Sequence, residues 1–143
     1  MLIILDLDGT LTPQRSASYA SFERVLLPGV KELCARGIEK GYTLAIATNQ
    51  GGAREGRSPR ISVGAVLAQL RWVSEQIGAS AFRFATTAER KKPEPAMLVE
   101  LMVELDFLPR ETVFVGDSES DALAAAAAGI AFAYVWDVNV CET

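Results

Sequence analysis

The feature that most narrows what this chain can fold into is a series of short, uninterrupted apolar runs, each followed by a segment of helical periodicity. Leu2-Ile3-Ile4-Leu5, Thr43-Leu44-Ala45-Ile46-Ala47-Thr48, Ala81-Phe82-Arg83-Phe84-Ala85, Thr112-Val113-Phe114-Val115 and Ile130 to Val135 read as five strands. Between them lie amphipathic stretches. Val30, Leu33, Cys34 and Ile38 share one helical face, and Val66, Leu70, Val73 and Ile77 share another. Met97, Leu98, Leu101, Met102 and Leu105 mark a third helix, and Asp121 to Ala128 a fourth, alanine-rich one closed by Gly129. Runs that are apolar on both faces belong to a sheet covered on both sides, and helices between strands make such a sheet parallel. The expected class is therefore α/β. With 143 residues and no long linker, the chain is expected to form one domain over 1–143.

In an open α/β sheet, ligands bind outside the carboxyl ends of the strands. The first strand ends in Asp6 and Asp8, the second in Thr48 and Asn49, and the fourth in Asp117 with Asp121 four residues on. Lys91 and Lys92 follow the third. Each of these alone is most simply a turn, a cap or a surface charge. Together they put acids, a hydroxyl and a lysine around one rim. The sequence has no histidine and only two cysteines, Cys34 and Cys141. Serine–histidine and cysteine–histidine catalysis and histidine-ligated metals are excluded, and acid–base work falls to carboxylates, lysines or water. Carboxylates on a rim suit attack on phosphorus, with a hard divalent cation such as Mg2+ to offset the charge. Gly9, directly after the two acids, permits the irregular backbone they need.

These residues resemble the haloacid dehalogenase superfamily. Asp6-Leu7-Asp8-Gly9-Thr10-Leu11 is similar to its DxDGT(L/V) signature, and Gly116-Asp117-Ser118-Glu119-Ser120-Asp121 to its GDxxxD motif. Ala47-Thr48-Asn49-Gln50 and Lys92-Pro93-Glu94-Pro95 sit where the second and third motifs belong. Their form resembles the phosphatase subgroup that acts on histidinol phosphate, heptose bisphosphate and polynucleotide 3′ ends. The resemblance implies a Rossmann-like, mainly parallel five-stranded sheet in the order 5-4-1-2-3, with helices on both faces. It further implies a Mg2+-dependent phosphatase working through an aspartyl phosphate.

On that resemblance Asp6 is the nucleophile and a metal ligand, and Asp8 is the general acid and base and a further metal-site residue. The Leu7 carbonyl and Asp117 are metal ligands. Asp121 acts on the metal through water or orients Lys92. Thr48 and Lys92 hold the phosphoryl group, aided by Thr10 and the Asn49 backbone. One departure is plain: Phe84 to Lys91 contains neither cysteine nor histidine, so the zinc loop common in the subgroup is missing.

Residues 12–28 are too few for a globular cap, and one helix and one strand fill most of the stretch between Thr48 and Lys92. A capless enzyme is expected. Arg54, Arg57 and Arg60 follow the second motif, and Arg54 and Arg57 are expected to bind a second anionic group of the substrate. Residues 54–92 hold eight basic and three acidic residues in a chain of net charge −4. That balance favours a small phosphorylated substrate over nucleic acid. Other classes that fit the same residues are a phosphoacceptor signalling module and a catalytically silent scaffold. Asp6 and Asp8 interrupt the apolar start, and no apolar run reaches membrane-spanning length, so a cytoplasmic location without membrane association is expected.

Overall fold

The computed structural model describes residues 1–15, 22–53 and 61–141. Five parallel strands, β1 (Leu2–Leu5), β2 (Thr43–Asn49), β3 (Ala81–Ala85), β4 (Thr112–Gly116) and β5 (Ala131–Tyr134), form one sheet in the order β3-β2-β1-β4-β5. This is the expected order. Five helices of more than one turn connect or follow them: α1 (Val30–Glu39), α2 (Val63–Ile77), α3 (Ala96–Leu105), α4 (Glu119–Ala128) and α5 (Val135–Cys141).

The wholly apolar strands follow from the two cores that flank the sheet. Alternate residues of a strand face opposite sides. Leu5 of β1 and Leu44 and Ile46 of β2 join Val30, Cys34, Val66, Leu70 and Val73 of α1 and α2. Leu2 and Ile4, with Ala45, Ala47 and Phe114, face Met97, Leu98, Leu101, Ala124 and Ala125 of α3 and α4. Burying each large apolar side chain contributes roughly 1.5–3 kcal/mol before entropy is counted. The alanines of α4 and β2 set the small-residue packing on that second face.

Helix ends agree with local chemistry. Ser62 caps α2 by accepting a hydrogen bond from the Ala65 amide at 3.0 Å. Gly78 and Gly129 close α2 and α4 in the left-handed conformation. The sequence reading extended the last strand to Val135, whereas α5 begins there. Nothing in the apolar run 130–135 separates a strand end from the start of a short helix.

Strands β2 and β3 lie on one side of β1 and β4 and β5 on the other. The chain reverses direction across the sheet between β1 and β4. That is the position at which a crevice opens in such sheets. No cap domain is present among the described residues, and none of their helices is long and apolar enough to cross a membrane.

Candidate active site

The crevice at the carboxyl ends of β1, β2 and β4 has a volume of about 290 Å³. It is lined by Asp6, Asp8, Gln14, Arg15, Thr48, Asn49, Lys92, Asp117, Ser118, Ser120 and Asp121. Asp6 is placed by the sheet itself, since its amide still bonds the Val115 carbonyl of β4 at 3.0 Å. The chain then leaves the sheet in a tight loop. There the Leu7 carbonyl accepts hydrogen bonds from the amides of Thr10, Leu11 and Thr12 and from the Thr12 hydroxyl. This corrects one expectation: the Leu7 carbonyl is consumed by the loop and does not join the acids.

Gly9 makes the loop possible. Its φ is +82°, and a β-carbon there would lie 2.1 Å from an Asp117 carboxylate oxygen. Any side chain at this position would push Asp117 out of the site. Gly116 plays the same part for Asp121, whose carboxylate lies 2.3 Å from where a β-carbon would stand.

Lys92 is the hub. Its ammonium lies 2.9 Å from Asp6 Oδ1, 2.6 Å from Asp121 Oδ1 and 3.1 Å from the Ala47 carbonyl, over the face of Phe114. Only 2% of its side chain is exposed. Burial works against its charge, but the Asp6 and Asp121 carboxylates outweigh burial and hold its pKa above the usual lysine value. Burial likewise pushes Asp6 up to about 7. Asp121 adds to the rise, while Lys92 and the Leu7 amide pull it back.

Asn49 fixes the lysine from the main chain. Its amide nitrogen donates to the Lys92 carbonyl at 3.0 Å, and its oxygen accepts from the Lys92 amide at 2.8 Å. The Asn49 side chain therefore holds the Lys92 main chain, and Asn49 also lines the crevice. The Lys92–Pro93 peptide is cis.

Asp121 is a capping residue and a site residue at once. Its Oδ2 accepts from the amides of Asp117 and Ser118, its own amide donates to Ser118 Oγ, and its Oδ1 meets Lys92. Both oxygens are thus engaged, one by the α4 N-terminus and one by Lys92.

Asp6, Asp117 and Asp121 offer carboxylate oxygens within 4.8 Å of one another. With three acids and one lysine the group carries a formal charge of −2. No hydrogen bond to the Asp117 carboxylate is present among the described residues. Hard oxygen donors, surplus negative charge and an open carboxylate fit a small divalent cation.

The Asp8 carboxylate stands apart from that cluster. The fork of Arg15 takes both its oxygens, at 3.2 and 3.3 Å, and Gln50 Nε2 bonds Oδ2 at 3.1 Å. Gln50 is fully buried and also bonds Thr48 Oγ1. Thr48 lines the crevice as expected. Thr10 does not. It lines an almost wholly apolar cavity of about 200 Å³ between the sheet, α1 and α5, where its hydroxyl has no partner among the described residues. Its hydroxyl is thus removed from the phosphoryl-binding role expected of it. Arg54 and Arg57 lie outside the described residues.

Arg15, Gln50, Gln14, Ser118 and Ser120 were not foreseen. Gln50 and the serines sit inside recognisable motifs but carry no chemistry that spacing alone reveals. Arg15 comes from an irregular loop, where periodicity says nothing.

A family model for haloacid dehalogenase-like hydrolases matches residues 17–129. The chain belongs to the haloacid dehalogenase-like hydrolases. Thr48, Lys92, Asp117 and Asp121 fall within the match, and Asp6 and Asp8 join them through the geometry above.

Among relatives, a phosphoglycolate phosphatase of Haemophilus influenzae is 35% identical over 126 residues. The aligned region is 82% of this chain and 50% of that protein. The chain thus spans about half the length of that relative. A D-glycero-beta-D-manno-heptose-1,7-bisphosphate 7-phosphatase of Pseudomonas putida is 31% identical over 90% of this chain and 78% of its own length. The crystal structure of D,D-heptose 1,7-bisphosphate phosphatase from B. bronchiseptica, complexed with magnesium and phosphate, superposes with a TM-score of 0.78 at 26% identity. It covers 99% of this chain and 86% of that one.

Proposed function

We propose that this chain is a Mg2+-dependent phosphomonoesterase that works through a phosphoryl group on Asp6. The observation that carries the reading is the buried Asp6 carboxylate, held by Lys92 and facing Asp117 across the β1–β4 crevice. A carboxylate fixed in this way and shielded from water is prepared for in-line attack on phosphorus.

Asp6 forms the new oxygen–phosphorus bond while the bond to the leaving oxygen breaks, and Asp8 supplies the proton that oxygen needs. Water then attacks the acyl phosphate, with Asp8 taking its proton, and inorganic phosphate departs. Thr48 Oγ1 and the Lys92 ammonium hold the phosphoryl oxygens, the lysine offsetting charge as it develops. Asn49 and Asp121 keep Lys92 in place. Asp6 and Asp117 would hold Mg2+, which when bound offsets charge on the phosphoryl oxygens.

The substrate class we infer is a small phosphate ester. Both relatives are named for such substrates, and the described lining of the crevice contains no aromatic platform for a nucleic-acid base. We further read residues 1–143 as one domain acting in the cytoplasm.

Release of phosphate from an aryl phosphate tests the reading. Turnover is expected with Mg2+, is lost on chelation, and falls by at least about a thousandfold in Asp6→Asn. Absence of turnover across a broad panel of phosphate esters would overturn it.

A further inference from the structure

We propose that Arg15 forms a subsite for a second anionic group, a carboxylate or a second phosphate, on the substrate of this crevice. Binding of that group draws the guanidinium off Asp8 and so makes Asp8 more available to the leaving oxygen. The inference rests on the phosphomonoesterase reading above and extends it to substrate choice.

Occupancy is the starting point. Arg15 Nε and Nη2 cover both oxygens of Asp8, and the side chains of the pair are only 10% and 15% exposed. While the fork stays there, Asp8 has no oxygen free on that side for a leaving group. A purely structural ion pair would leave Asp8 stranded if it opened. Here Asp8 would keep one partner, because Gln50 Nε2 also donates to Asp8 Oδ2 and to Thr48 Oγ1.

Arg15 is also supported for exchange. Its guanidinium lies 4.1 Å from the centre of the Phe22 ring, so the stack can guide the fork while its partner changes. Its Nη2 also donates to Gln50 Oε1. Among the described residues lining the crevice the cations are Arg15 and Lys92, and the proposed mechanism gives Lys92 to the phosphoryl group. A planar guanidinium matches carboxylate and phosphate equally well in a two-bond arrangement. An aryl ester with a single phosphate and no second anionic group offers it no such alternative.

Calorimetry with Mg2+ and non-hydrolysable phosphonates tests the subsite without turnover. The ligands are propylphosphonate, carboxyethylphosphonate and propylene bisphosphonate, which separate the carboxylate from the phosphate source. The unaltered protein is expected to prefer at least one of the two with a second anion by roughly ten- to a hundredfold. Arg15→Ala should erase that preference, and Arg15→Lys should restore only part. In turnover, Arg15→Ala should raise KM for esters with a second anion far more than for an aryl phosphate.

Equal affinity for all three ligands in the unaltered protein would overturn the subsite, as would a preference that survives in Arg15→Ala. Should Arg15→Ala fail to fold, Phe22→Leu loosens the same side chain and should shrink the preference; an unchanged preference there counts against the proposal. Anion preference without hydrolysis of any ester sinks the phosphatase reading and keeps the subsite. Hydrolysis without the preference does the reverse.

Discussion

On the proposed mechanism Asp6 carries the chemistry, and its surroundings set when it could bind a metal. Burial first, then Asp121, holds its carboxyl near 7 against an ordinary value of 3.8. A carboxyl raised in this way favours the protonated folded state. Its contribution to the stability of the metal-free protein is complete below about pH 3.8 and is lost as pH rises through about 7. A metal needs the ionised carboxylate and must displace that proton. Mg2+ affinity is therefore expected to rise with pH up to about 7 and then level off, and titration calorimetry in buffers of different ionisation enthalpy should detect proton release below that point. A flat affinity across this range would mean that Asp6 does not bind the ion. Much of this was legible in the sequence: Asp6, Thr48, Lys92, Asp117 and Asp121 converge at the β1–β2–β4 rim. The Leu7 carbonyl and the Thr10 hydroxyl went elsewhere because a loop's hydrogen bonds are settled by its neighbours in space. A carbonyl with three amides and a hydroxyl within reach has no direction that spacing can supply.

The strands and longer helices were legible for a simpler reason. A strand buried on both faces cannot hide its composition, and the 3.6-residue period of α2 puts Val66, Leu70, Val73 and Ile77 on one face against β1 and β2. Helix α5 was not legible, since it follows β5 directly inside one apolar run. Caps are a further case where local chemistry decides. Ser62 Oγ bonds the Ala65 amide at 3.0 Å, far from the acids. Ser62→Ala is expected to lower stability by about 1 kcal/mol in urea denaturation, with kcat changed little. A loss below a few tenths would mean that solvent caps α2 equally well. Asp121 shows the opposite case, since one side chain both starts α4 and orients Lys92. A stability defect and an activity defect would there be inseparable.

The sheet order explains why so few residues make a site. Reversal of the chain between β1 and β4 opens the crevice, and Asp6 and Asp117 stand at its two walls. Two cores share the sheet, one under α1 and α2 and the other under α3 and α4, so neither half can open without exposing the strands of the other. Residues 1–143 are therefore expected to unfold in one step, with far-ultraviolet circular dichroism and tryptophan fluorescence (Trp72, Trp136) tracing coincident urea transitions. Separate midpoints would divide the chain into two units. On the proposed mechanism the covalent chemistry falls on one aspartate, Asp6. Acid quenching during turnover with Mg2+, followed by peptide mass mapping, tests that most directly. The account predicts a phosphoryl adduct, labile to hydroxylamine, on the peptide containing Asp6 and absent in Asp6→Asn. Phosphate release with no adduct, or an adduct on another residue, would contradict it.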